Sequence, residues 1–182
     1  MKLLPNILSL LRLTLSPLVI VAAYLGFAKT SAVIFLLLAV SDAADGFLAR
    51  RLGAETFSGK LLDPIADKAL MISGLIVLTY ITPIIEPWLI YILVIRDTGI
   101  IVGSVLLIKR GVKPKPSIAG KITTWVLSTT ILFGFTSIYF EQIEETMELL
   151  TKFSTIMVIF SGVDYLIKGV NVLLNKVIIE NT

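Results

Sequence analysis

Six apolar runs follow one another along this chain, each close to the ~20 residues that a helix needs to cross the hydrocarbon core of a bilayer. The first lies within MKLLPNILSLLRLTLSPLVIVAAYLGFA. The others are Ser31–Leu52, Lys60–Ile81, Pro87–Lys109, Ile118–Phe140 and Leu149–Leu174. Hydrophobic residues make up 56% of the sequence and charged residues only 16%, against about a quarter charged in soluble domains. The expectation is an all-α integral membrane protein with six transmembrane helices. Residues 1–182 would form a single domain with no soluble module.

The N-terminal run is long, and no small-residue cleavage site is followed by a polar mature start, so it reads as structure rather than as a signal peptide. Leu3–Arg12 is expected as a short interfacial helix leading into the first span. Pro17 then falls early in that span, where proline is tolerated. Basic residues fix the orientation. Lys2, Arg12, Arg50, Arg51, Lys60, Lys109, Arg110, Lys113, Lys115, Lys121 and Lys176 all fall on one side of a six-span chain, while Lys29, Lys152 and the acidic EQIEETME fall on the other. Both termini are therefore expected in the cytoplasm. GVKPKPS, with its two prolines, is the expected extended loop between the fourth and fifth spans. Trp88, Trp125, Tyr80, Tyr91, Tyr139 and Tyr165 read as anchors at the membrane interface.

Residues 41–69, SDAADGFLARRLGAETFSGKLLDPIADKA, place four aspartates between two of the runs. Spacing i, i+3 puts Asp42 and Asp45 on one helix face, and spacing i, i+4 does the same for Asp63 and Asp67. Antiparallel helices joined by a short turn bring such faces together. Four carboxylates in a partly dry site repel one another unless cations sit among them. The chain has no histidine and no cysteine, so an imidazole or thiolate metal site is excluded. An all-oxygen cluster suits Mg²⁺, Mn²⁺ or Ca²⁺, and two divalent ions fit the charge. Ala43, Ala44, Gly46, Ala49, Gly53 and Gly59 leave room for a ligand, and Arg50 can hold a phosphate by bidentate bonds. Together these features point to a nucleotide diphosphate arriving from the cytoplasm. The plain alternative is that the aspartates are solvated or paired with Arg50, Arg51, Lys60 and Lys68.

Asp42, Asp45, Gly46, Ala49, Arg50, Gly59, Asp63 and Asp67 resemble the signature of the CDP-alcohol phosphatidyltransferase family, D-x-x-D-G-x-x-A-R, eight residues, then G-x-x-x-D-x-x-x-D. LPNILSLLRLTLSP, GKLLDPIADK and SGVDYL are similar to the N-terminal segment, third helix and last helix of its bacterial phosphatidylglycerophosphate synthase and cardiolipin synthase branches. The resemblance implies metal-dependent transfer of a phosphatidyl group from CDP-diacylglycerol to an alcohol, with release of CMP. It implies that Asp42, Asp45 and Asp63 bind one Mg²⁺ or Mn²⁺ ion and that Asp67 helps bind a second and is the general base. Gly46, Ala49, Arg50, Thr56 and Gly59 would line the CDP site, and Pro5 and Asn6 would close over the cytidine. It also implies a homodimer in a bacterial-type inner membrane, in contact with membrane lipids and with no nucleic acid partner.

For the acceptor, Arg96 inside the fourth span and Lys121 at the start of the fifth are the candidate phosphate-binding cations. The plain reading of Arg96 is an ion pair with its neighbour Asp97. Phosphatidylglycerophosphate synthases tend to carry a second arginine where this chain has Ser104. Glycerol 3-phosphate is the expected acceptor, and phosphatidylglycerol, as in cardiolipin synthases, is the alternative. A cation transporter is a remote reading from another class, because buried acids also mark ion paths. It predicts acids spread through the bilayer depth, whereas these gather at one face.

Overall fold

The structure, a computed structural model, describes the backbone of residues 4–52, 57–111, 117–140 and 144–180, and the side chains of 9–41, 63, 65–111, 117–140 and 145–172. Within these residues the chain forms six α-helices and no strand. They are α1 (Leu4–Tyr24), α2 (Ala28–Leu52), α3 (Phe57–Ile76), α4 (Pro87–Lys109), α5 (Ile118–Ser137) and α6 (Glu144–Glu180), and a π-helical stretch, Val77–Ile81, extends α3. Among the described residues, three helices are long and apolar enough to cross a membrane: Pro87–Lys109, Ile118–Ser137 and Glu145–Val172. Many large apolar side chains on them face outward, Trp125 at 77% exposure among them. Water-soluble monomers rarely expose apolar surface on that scale, whereas lipid tails would cover it.

The helices group into two compact units. One comprises Met1–Ile85 with Ile131–Met147, the other Glu86–Thr130 with Glu148–Thr182. In the first, α1 packs along α2 and α3. The expected break between an interfacial helix and a first span is absent, because α1 runs uninterrupted from Leu4 to Tyr24 with Pro17 in its interior. Nothing between Arg12 and Pro17 forces a turn, and the missing Pro17 N–H costs one hydrogen bond rather than the helix. The helix ends in a Schellman motif: Gly26 has φ +86°, its N–H meets the Ala23 carbonyl at 3.0 Å, and the Phe27 N–H meets that of Ala22 at 2.9 Å. Buried Ser31 then donates to the Val19 carbonyl at 2.7 Å and ties α2 back to α1.

The core of this unit depends on two bare backbones. A Cβ on Gly74 would lie 2.7 Å from the Phe35 ring and 2.8 Å from Ile131, and one on Gly134 would lie 2.6 Å from Leu78. Small residues of this kind let apolar helices approach closely. Phe35 and Phe135 stack beside Gly74 with ring centroids 4.3 Å apart. The π-helical stretch closes with the Thr82 N–H on the Val77 carbonyl at 2.8 Å, and Pro83 follows.

In the second unit Pro87 occupies the first turn of α4, where its missing N–H costs nothing. Gly111, with φ +74°, follows the helix end. Hydroxyls join α5 to α6. Thr123 donates to the Met157 carbonyl at 3.0 Å, and Thr130 and Ser154 share a buried hydrogen bond of 2.7 Å. Such bonds hold apolar helices together where hydrophobic attraction between them is weak.

Candidate active site

Asp42, Asp45, Gly46, Ala49 and Arg50 lie on the C-terminal half of α2, and Gly59 lies in the first turn of α3. Their side-chain surroundings fall outside the described residues, as do those of Pro5 and Asn6 on α1 and the whole of Thr56. Asp63 and Asp67 are described, one turn apart on the same face of α3. Among the described residues no group of three or more carboxylates gathers as a metal centre.

Both described aspartates are held from α1. The Ser9 hydroxyl donates a short hydrogen bond to Asp63 Oδ1. Arg12 Nη1 lies 3.0 Å from Asp67 Oδ1, with the arginine side chain 3% exposed and the aspartate 48% exposed. Ser9, Arg12 and Ser16 are all buried, and their i, i+3, i+7 spacing makes one polar stripe along an apolar helix. That spacing was the sequence signal for these residues, whereas reading Arg12 only as an inside-positive charge missed its role. The donor chemistry fits a divalent ion: two ionisable carboxylates one turn apart offer hard oxygen ligands, and the Asp67 side chain is half exposed.

A second polar cluster lies in the other unit. Arg96 does pair with Asp97, at 2.8 Å, with side-chain exposures of 11% and 16%. Its Nη2 also donates to Ser161 Oγ at 2.6 Å, and its guanidinium lies 5.9 Å from the centre of the Tyr165 ring, within cation–π range. Arg96 Nε is buried without a hydrogen-bond partner among the described residues. Tyr165 is half-buried, and its hydroxyl accepts the Ser117 N–H at 3.2 Å. Trp88 and Trp125 remain exposed. Ser117 Oγ accepts the Gly120 N–H at 3.1 Å and so caps α5, and it donates to Asp164 Oδ2 at 2.7 Å. Lys168 Nζ meets that same oxygen at 2.7 Å. Lys121, one residue beyond Gly120, is exposed. SGVDYL therefore supplies three polar partners, of which Ser161 and Asp164 were not assigned roles from the sequence.

A model of the CDP-alcohol phosphatidyltransferase family matches residues 2–168. The chain belongs to that family. This phosphatidyltransferase is 39% identical, over 168 residues, to the CDP-diacylglycerol–glycerol-3-phosphate 3-phosphatidyltransferase of Aquifex aeolicus, covering 91% of this chain and 94% of that one. It is 38% identical over 135 residues to a probable phosphatidylglycerophosphate synthase of Mycobacterium tuberculosis, covering 70% of this chain and 63% of the relative. A third relative, from Wigglesworthia glossinidia brevipalpis, carries the same name as the Aquifex protein and is 46% identical over 77 residues, 41% of this chain and 42% of its own. The transporter reading ends here, since family membership accounts for the four aspartates of the signature.

Proposed function

We propose that this phosphatidyltransferase is a phosphatidylglycerophosphate synthase, moving the phosphatidyl group of CDP-diacylglycerol to glycerol 3-phosphate and releasing CMP. The observation that carries the proposal is the 39% identity to the Aquifex protein, which spans nearly the whole of both chains. The cardiolipin synthase alternative, raised by Ser104, finds no support in the names of these relatives.

In the proposed reaction Asp67 accepts the proton of the acceptor hydroxyl as that oxygen bonds to the phosphatidyl phosphorus. The bond from that phosphorus to the CMP oxygen breaks, and CMP leaves. Arg12 supports Asp67 from behind and leaves its exposed side to the acceptor. Asp42, Asp45, Asp63 and Asp67 would hold two divalent ions, Mg²⁺ or Mn²⁺, which when bound neutralise the diphosphate and the leaving group. Arg50 would bind a diphosphate oxygen. Gly46, Ala49, Thr56 and Gly59 would line the nucleotide, and Pro5 and Asn6 would cover it. Arg96 and Lys121 would take the acceptor phosphate.

The same proposal makes residues 1–182 one catalytic domain of six spans, with both termini and the site on the cytoplasmic side. The distribution of Lys and Arg supports this orientation. If α2 spans, Asp42 and Asp45, in its C-terminal half, lie toward the cytoplasmic side, where CDP-diacylglycerol carries its diphosphate. The resemblance alone supports the homodimer.

The test is CMP release by the purified chain from CDP-diacylglycerol with Mg²⁺ or Mn²⁺, with glycerol 3-phosphate and phosphatidylglycerol as parallel acceptors. Release with glycerol 3-phosphate alone is expected. Release with phosphatidylglycerol alone would overturn the acceptor assignment.

A further inference from the structure

Ser161, Asp164 and Tyr165 follow one another at i, i+3 and i+4, so α6 presents all three on one face. Each holds something different. Ser161 takes Arg96 Nη2. Tyr165 offers its ring to the same guanidinium and its hydroxyl to the backbone N–H of Ser117. Asp164 takes the hydroxyl of Ser117, the residue that caps α5. The contacts leave little room for a side chain at the glycines on either side. A Cβ on Gly120 would lie 3.1 Å from the Tyr165 ring and 3.4 Å from Arg96 Nη2, and one on Gly162 would lie 3.3 Å from Arg96 Cγ. One face of α6 thus fixes both the Arg96 side chain and the first turn of α5, the turn that carries Lys121.

We propose that Ser161, Asp164 and Tyr165 are positioning residues for the acceptor's phosphate, holding Arg96 and the Lys121 turn in a fixed relation so that both cations meet one phosphomonoester. This rests on the proposed role of Arg96 and Lys121. Two of the guanidinium's nitrogens are bound, to Asp97 and Ser161, and Tyr165 lies against its face, so the group is oriented rather than free to swing. An arginine held in this way loses little conformational freedom when a phosphate arrives, which favours affinity. Acceptor recognition by this chain would then depend on residues that never touch the acceptor.

The experiment measures KM for glycerol 3-phosphate, KM for CDP-diacylglycerol and kcat in the full-length wild type, Arg96→Ala, Tyr165→Phe and Ser161→Ala. Tyr165→Phe keeps the ring and loses the Ser117 hydrogen bond, and Ser161→Ala loses one bond to Arg96. Each is expected to raise KM for glycerol 3-phosphate by about 3- to 10-fold, the range one hydrogen bond supplies. KM for CDP-diacylglycerol and kcat at saturating acceptor should stay within about twofold, since the lost bonds bear only on the acceptor's phosphate. A fall in kcat with no change in KM, or an equal rise in both KM values, would mark a merely structural role and overturn the inference. If Arg96→Ala raises the acceptor KM while both α6 variants leave it unchanged, the positioning role is wrong but the functional reading stands. Wild type inactive with glycerol 3-phosphate, or Arg96→Ala without effect on its KM, would instead remove the reading beneath it.

Discussion

Arg12 of α1 and Asp67 of α3 meet at 3.0 Å across 55 residues of sequence. The guanidinium is almost fully buried, while the carboxylate is half open. Asp67 is therefore held from α1 while its side chain stays 48% exposed, an arrangement that suits a group which must be held still and still meet a substrate.

Removing the arginine should loosen both helix packing and the site. Arg12→Leu leaves the carboxylate without this partner, but Asp67 can still reach water, so the expected loss is about 1–3 kcal/mol, less than for a fully buried pair. Thermal unfolding in detergent measures that loss. Turnover should fall at least tenfold, and Arg12→Lys should recover part of it. Wild-type turnover in Arg12→Leu would remove Arg12 from the site.

Asp67→Asn keeps the shape of the side chain and abolishes its basicity. General-base catalysis contributes roughly 10²–10⁴-fold, so kcat should drop within that range while binding of CDP-diacylglycerol is largely preserved. Binding of a labelled CDP-lipid alongside CMP release separates the two effects. Full activity in this variant would refute the base assignment.

A chelator should stop CMP release, and Mg²⁺ or Mn²⁺ should restore it. Asp63→Asn replaces an anionic ligand with a neutral one, and the metal concentration for half-maximal activity should then rise about tenfold or more. Titrating activity against metal in wild type and variant checks this. Identical curves would count against Asp63 as a ligand.

How far the sequence could be read depended on whether a feature was local. α4 was legible from end to end, because Pro87 opens it and Gly111 follows its close. The i, i+4 spacing of Asp63 and Asp67 gave their common face directly, and the neighbour pair Arg96–Asp97 was a foreseeable alternative that the structure contains. The partners of those residues were not legible. Ser9 and Ser161 reach Asp63 and Arg96 across 54 and 65 residues, and only tertiary packing brings them together. The N-terminal segment misled for the opposite reason. Its arginine looks like an interfacial charge until α3 supplies a carboxylate that lets it be buried within one continuous helix.

The two glycine environments make a paired prediction about packing. A methyl group on Gly74 would stand 2.7 Å from the Phe35 ring and 2.8 Å from Ile131, inside contact distance of two buried side chains at once. Neither neighbour is free to move, since the Phe35 ring is itself stacked on Phe135. Overpacking of this kind costs about 1–3 kcal/mol, more than the gain of up to ~1 kcal/mol that alanine brings to a helix interior. Gly74→Ala should therefore lower the unfolding midpoint in detergent. Gly99, on α4, has no atom within 4 Å of where a Cβ would lie. Gly99→Ala keeps the propensity gain without the clash and should leave the midpoint unchanged or raise it. Equal shifts in the two variants would mean that α3 does not pack as closely against Phe35 and Ile131 as this geometry requires.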